Sequence, residues 1–424
     1  MAVIQLPYGK TGMTAEIPDQ NLAGIYESFL PPAAADPVKE VADAMDHPIG
    51  SPPLEDLAKG KRSVVIIASD HTRPVPSRIM MPEILRRLRA GNPEIDVTIL
   101  IATGCHRETT RAELADKFGP EIVAREKIVI HDSTDDRMMI KCGVLPSGGD
   151  LVLNKLAVEA DLLVAEGFIE PHFFAGFSGG RKSVLPGIAA KTTVLANHCA
   201  EFIRSPFART GNLDGNPIHE DMIYAAKKAK LAFIVNVVIN SGKQIVRAFA
   251  GDREQAHLQG CEFLRRVCQV AVPPADIVIT GNGGYPLDQN VYQSVKGMTA
   301  GETVCKANGV IIMAASCADG HGGESFCKNL AGAASPGALL KQVAGVPRDR
   351  TVPDQWEYQI LCRILDRFTV IMVTTDCDHA LLQSMHLHTA SSIDEALQKA
   401  FAITGKAAKV AVIPDGVSVI TASK

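Results

Sequence analysis

The residues best placed to do chemistry lie in Glu166-Gly-Phe-Ile-Glu-Pro-His172-Phe-Phe-Ala-Gly-Phe-Ser178-Gly-Gly-Arg-Lys182-Ser, with His198 following after a Leu-Pro-Gly turn and a helix-like run. Two imidazoles and an amine so close in sequence can converge on one spot. The glycines add a second possibility, because a turn without Cβ atoms lets backbone N–H groups approach an anion. Arg181 separates Gly180 from Lys182-Ser183, so the stretch is not the G-x-x-x-x-G-K-[ST] loop of nucleotide triphosphatases. The bland alternative is a tight turn at Ser178–Gly180 beside a solvated lysine.

Similar polar clusters recur where apolar runs end. Val64–Ala68 leads into Ser69-Asp70-His71-Thr72-Arg73-Pro74, and Val97–Ala102 leads into Thr103-Gly104-Cys105-His106-Arg107. Runs at 276–280 and 310–314 lead into Gly281-Asn-Gly-Gly-Tyr285-Pro286 and Ser316-Cys-Ala-Asp-Gly-His321. In open α/β sheets ligands bind beyond the carboxyl ends of the strands, so these clusters point at one cleft. Asp70 can be read as a helix cap, and Arg73 as a bidentate clamp for a carboxylate. His106, His172 and His198 taken singly would be structural; together at strand ends and beside the turn they suggest metal binding or acid/base work. Gln289, Tyr292, Gln293 and Lys296 share one face of a helix predicted from residue 288, either a solvated face or a polar wall of the cleft.

The elements that must hold these groups alternate regularly. Short apolar strand runs are separated by segments of helical spacing such as Ile79, Met80, Ile84, Leu85 and Leu88. This pattern predicts an α/β protein of two domains, each with a mainly parallel sheet, and a cleft between them. The prolines of Val270-Ala-Val-Pro-Pro mark the boundary, giving an N-terminal catalytic and cofactor-binding domain over 1–270 and a C-terminal α/β domain over 271–424, whose tail can pack back on the first. Residues 3–17 read as a hairpin and 192–202 as one helix.

Composition narrows the class. The 424 residues are 46% hydrophobic and 21% charged, with a net charge of −4, which offers no basic surface to nucleic acid or an anionic membrane. The 10 cysteines form no C-x-x-C pair and fit reduced thiols in a cytoplasmic enzyme. No leader-like or membrane-spanning run is apparent, so the chain is expected to be soluble.

An arginine and a lysine that grip a carboxylate, with two imidazoles facing one carbon, suit inversion next to that carboxylate. Removing the α proton of a 2-hydroxy acid is difficult because the carboxylate opposes a neighbouring carbanion. Oxidation to a flat keto acid followed by return of hydride to the other face avoids the carbanion. No side chain accepts hydride, so a cofactor must.

At this point the sequence resembles the nickel-dependent lactate racemase family over essentially its whole length. The shared motifs are S-D-H-T-R-P (69–74), A-T-G-C-H-R (102–107), P-H-F-F-A-G-F-S-G-G-R-K-S (171–183), N-H (197–198), G-N-P-I-H-E-D (215–221) and L-D-Q-N-V-Y-Q-S-V-K-G-M (287–298). The resemblance implies a racemase or epimerase using a nickel-pincer nucleotide, a pyridinium-3-thioamide-5-thiocarboxylic acid mononucleotide carrying nickel. It implies that Lys182 holds this group through a thioamide, that His198 ligates the metal, and that His106 and His172 are the paired acid/base groups. By the same resemblance Arg73, Tyr292, Gln293 and Lys296 position the substrate, while Asp70, Ser178, Gly179, Gly180 and Arg181 hold ribose and phosphate. The partners it implies are a small 2-hydroxy acid, lactate or a relative, and the enzymes that make the cofactor. The rival readings are a zinc-dependent hydrolase or lyase and a non-catalytic carrier of the cofactor.

Overall fold

A computed structural model describes residues 1–423. Its frame is two six-stranded sheets. The first runs in the order Ile245–Gly251, Leu231–Ile239, Leu162–Phe168, Ser63–Ser69, Asp96–Ala102, Lys127–Ile130. All neighbours are parallel except Ile245–Gly251, which is antiparallel to Leu231–Ile239. The second is wholly parallel: His388–Ala390, Thr369–Val373, Cys305–Ala314, Ala275–Gly281, Val410–Ile413, Leu22–Ile25. Helices cover both faces, so the central strands are buried on both sides, and this is why they read as unbroken runs of Val, Ile and Leu.

Strand order fixes where a ligand can sit. From Ser63–Ser69 the chain moves outward through 96–102 to 127–130, then returns to the other side of Ser63–Ser69 with Leu162–Phe168. The order therefore reverses between these two strands, and a crevice opens beyond their carboxyl ends. Asp70 follows one of them directly, and Glu170 and His172 follow the other.

Several boundaries differ from the sequence reading. Residues 1–25, placed in the first domain, belong with the second: Leu22–Ile25 pairs with Val410–Ile413, and the hairpin Ala2–Leu6/Met13–Ile17 packs Ile4, Leu6, Ala15 and Ile17 against the core of that sheet. Gln269–Val272, at the expected boundary, is itself a strand, paired in parallel with Ile420–Ser423. Ile420 packs with Phe177 and Leu213 in one core cluster. The single helix expected over 192–202 is two, Lys191–Asn197 and Ala200–Arg204, because Cys199 adopts an extended conformation between them. The helix carrying Lys296 begins at Val291, capped by the Asn290 side chain, so Gln289 lies outside it. Among the described residues no helix is long and apolar enough to cross a membrane.

Candidate active site

The turn after Leu162–Phe168 is stitched before any catalytic side chain is placed. The Ser178 hydroxyl donates to the Phe168 carbonyl at 3.0 Å and accepts from Glu170 N–H at 2.9 Å. Gly179 and Gly180 follow with φ of 72° and 52°. A Cβ on Gly179 would lie 2.8 Å from both Asn236 Oδ1 and the Phe168 carbonyl, so the turn admits no side chain there. Asn236 Oδ1 accepts from Gly180 N–H at 2.8 Å. The Gly180–Ser183 turn then places Lys182 against His172, Nζ to Nε2 3.0 Å. Burial first, and then the charges of Arg181, Arg73 and Lys296, hold the Lys182 amine well below its ordinary pKa. Burial and the charges of Lys182, Lys296 and Arg73 push His172 well below the usual histidine range.

Arg181, expected to grip a phosphate, turns inward instead. It is fully buried, and its guanidinium donates to His219 and to the Ser178, Gly179 and Ala175 carbonyls, with His257, whose Nε2 is 2.8 Å from the Ser178 carbonyl, packed against it. The Ser178 hydroxyl is likewise spent on the turn itself.

His198 caps the helix Lys191–Asn197 and donates from Nδ1 to the Val194 carbonyl at 3.0 Å. The proton therefore sits on Nδ1, and Nε2 presents a free lone pair, the form a metal ligand needs. Burial and the Lys182 charge lower its pKa to about 3, which keeps the ring neutral. Its ring packs edge-on against Phe174 at 5.2 Å and Trp356 at 5.1 Å, the latter from the second domain. Among the described residues no three His, Cys, Asp or Glu side chains gather as a metal site. A zinc hydrolase would need such a set; a metal whose other donors come from a cofactor needs only one imidazole. The residues present thus fit a nickel group ligated by His198 beside the Lys182 amine, whose pKa burial and neighbouring cations lower.

His106 stands on the opposite strand end, its side chain 45% exposed, with Nδ1 2.7 Å from Asp70 Oδ2. Burial raises the Asp70 carboxyl, but the His106 bond and charge, the Thr72 hydroxyl and Arg73 outweigh it and hold the group below the usual carboxylate value. Asp70 Oδ1 also accepts from Thr72 N–H and Oγ1, at 3.1 and 2.6 Å. Asp70 is therefore the orienting group behind His106, and its carboxylate is already engaged, which leaves it little capacity for a ribose. Arg73 is exposed beside it.

The second domain supplies the facing wall. Tyr292, Gln293 and Lys296 lie on the first turns of their helix, half-buried, with Lys296 Nζ donating to Gln293 Oε1. Tyr292 packs edge-on to Phe326, and burial, then the Glu357 and Asp354 carboxylates, hold its hydroxyl well above the usual phenol range. Lys296 senses Arg73 and Glu170 from the first domain and Glu357 from its own. His106, His172, Lys182, His198, Arg73 and Lys296 thus belong to one region where the two domains meet; Gln289 lines a separate cavity of about 390 Å³ with Tyr8, Asp288 and Asp376.

Sequence reasoning missed Glu170, Glu357 and Trp356. The Glu170 carboxyl is raised by burial and opposed by Arg73, Lys296 and Lys182, which places an acid among the cations. Glu357, 1% exposed, has one oxygen without a partner, and burial raises its carboxyl to about 8 against the pull of Lys296. The available signal was an acid on the buried face of an otherwise apolar helix, Gln355–Leu365.

Sequence profiles of two family domains match the chain: the lactate racemase N-terminal domain over residues 8–211 and the lactate racemase C-terminal domain over 270–421. The lactate racemase of Thermoanaerobacterium thermosaccharolyticum is 56% identical over 426 residues, covering 100% of both chains. That of Lactiplantibacillus plantarum is 54% identical over 422 residues, covering 99% of this chain and 100% of the other. The solved apoprotein of the Thermoanaerobacterium enzyme superposes with a TM-score of 0.97, covering 99% of this chain and 100% of that one. A Thermotoga maritima protein at 18% identity shares the fold, with a TM-score of 0.66 over 93% of this chain and 100% of its own.

Proposed function

The chain belongs to the lactate racemase family and is an isomerase of the racemase class, and from that premise we propose that it inverts C2 of lactate, or of a closely related 2-hydroxy acid, with a nickel-pincer nucleotide joined to Lys182. The observation that carries this is the neutral set around one point: an imidazole with a free Nε2 at His198 and a low-pKa amine at Lys182, 3.0 Å from His172. When bound, the cofactor would take and return the C2 hydride, the one step no side chain performs.

The remaining work falls to the chain. Arg73 and Lys296 supply the charge that holds the substrate carboxylate, with Gln293 fixing the lysine. His106, oriented by Asp70, and His172 each serve one enantiomer, so that in either direction one takes the hydroxyl proton of the substrate and the other gives a proton to the hydroxyl of the product, which requires each to reach that hydroxyl at about 2.6–3.2 Å. Aromatic rings at Phe174 and Trp356 keep water from the reacting carbon. The 10 cysteines are all free thiols, which supports a reducing, cytoplasmic setting. The cofactor would come from separate biosynthetic enzymes.

The decisive experiment is a chiral assay of cofactor-loaded protein against a panel of 2-hydroxy acids. Inversion of lactate in both directions is expected. Fully loaded protein that inverts none of the panel would refute the assignment.

A further inference from the structure

Arg181 is a buried cation with no anion beside it. Its nitrogens meet no carboxylate: Nε donates to His219 Nδ1 at 3.0 Å, Nη1 to the Ser178 and Gly179 carbonyls at 3.3 Å, and Nη2 to the Ala175 carbonyl at 2.8 Å, while His257, whose Nε2 is 2.8 Å from the Ser178 carbonyl, packs 2.9 Å from Nη1. An unpaired buried charge is costly, so its position calls for a use.

The backbone of Ala175 shows where the charge acts: its carbonyl, in the peptide to Gly176, accepts from Arg181, while its N–H, in the peptide from Phe174, donates to His172 Nδ1 at 3.3 Å, so the arginine anchors the residue whose N–H meets the ring. A backbone N–H can only donate, so Nδ1 carries no proton and the neutral ring keeps its proton on Nε2. In the cofactor-free chain that Nε2–H points at Lys182 Nζ, 3.0 Å away; a thioamide nitrogen accepts no hydrogen bond, so attachment would release the ring for the proton work assigned to it above. An ammonium has no lone pair to accept it; a neutral amine has one. Arg181 and Lys182 are consecutive, so the circuit Arg181, Ala175, His172, Lys182 closes on itself.

We propose that Arg181 is a positioning residue that, by anchoring the Ala175 backbone and through it His172, holds Lys182 as a neutral nucleophilic amine before any cofactor is attached. This rests on the covalent cofactor reading above. The groups facing Lys182 agree in sign: Arg181, Arg73 and Lys296 disfavour an ammonium, only Glu170 favours it, and His172 and His198 are neutral. In the joining step Nζ forms a bond to the carbon of a thiocarboxylic acid and the C–O bond breaks. One amine proton and the acid proton leave with that oxygen as water, and a thioamide remains. Nothing is oxidised or reduced, and an ammonium cannot begin the step.

The test uses the full chain made without the cofactor enzymes, labelled with trace acetic anhydride from pH 6 to 11 and read by peptide mass spectrometry. A lysine of ordinary pKa, about 10.4, keeps only about one part in a thousand of its limiting rate at pH 7.5. Lys182 is expected to keep at least about tenfold more than that, with exposed Lys328 as the reference in the same digest. Arg181→Gln should remove the excess, and Arg181→Lys, which retains charge, should keep part of it. Wild-type Lys182 titrating like Lys328 overturns the proposal whether or not the variants fold. So does a folded Arg181→Gln protein whose Lys182 profile is unchanged. A Lys182 that labels as a neutral amine but gains no mass on loading sinks the covalent cofactor reading instead.

Discussion

Replacing Glu357 by glutamine should make the protein more stable, and only at neutral to alkaline pH. The side chain is 1% exposed, one oxygen has no partner, and its carboxyl is raised from 4.5 to about 8. A raised pKa means that folding favours the protonated form: the carboxyl is tolerated below pH 4.5, and stability drains away as pH climbs towards 8. With 1.36 kcal/mol per pK unit, the penalty is about 1 kcal/mol at pH 5 and about 4 kcal/mol at pH 8. Glutamine keeps the shape and carries no charge to bury. Glu357→Gln should therefore melt close to wild type at pH 5 and several degrees above it at pH 8, taking roughly 1–2 °C per kcal/mol for a chain of this length. Calorimetry at both pH values checks this. If the variant is instead less stable at pH 8, Glu357 is the ionised partner of Lys296 and the reasoning is wrong. The functional stake is direct: a protonated Glu357 leaves the Lys296 charge for a substrate carboxylate.

Asp70→Asn removes the carboxylate behind His106 and should lower kcat by roughly 10²-fold or more, with the pH–rate profile altered and KM little changed; an unaltered kcat would remove Asp70 from the orienting role. Lys182→Ala should fold normally yet show no added cofactor mass on the intact protein, and an unchanged adduct would place the attachment elsewhere. Gly179→Ala forces a Cβ to within 2.8 Å of two oxygens at a φ of 72°. It should cost roughly 1–3 kcal/mol and lower cofactor occupancy, both visible as a reduced melting temperature and a smaller bound fraction.

How far the sequence alone reaches can be judged from particular elements. The strand Ser63–Ser69 and its neighbours were legible because burial on both faces leaves only apolar residues to write them with. Leu162–Phe168 looked shorter than it is, since Glu166 interrupts the apolar run. That acid is tolerated inside the sheet because the Ser77 hydroxyl, at 2.9 Å, and Ser69 N–H satisfy it. Leu22–Ile25 could not be assigned to its sheet, because its pairing partner, Val410–Ile413, lies nearly 400 residues away. Within the site, the side chains that face the crevice were recognisable by type, whereas Arg181 was misplaced: a guanidinium in a glycine-rich turn reads as an anion clamp, and only the packing of His219 and His257 around it shows otherwise. Protonation states lie further still from the sequence. Whether Lys182 is an amine or an ammonium depends on its burial, on the cations around it and on which way the backbone at Ala175 faces. That orientation is set by a turn whose glycines fix the backbone and whose arginine fixes the carbonyl. A motif can name the lysine, but its reactivity is a property of the hydrogen bonds that converge on it.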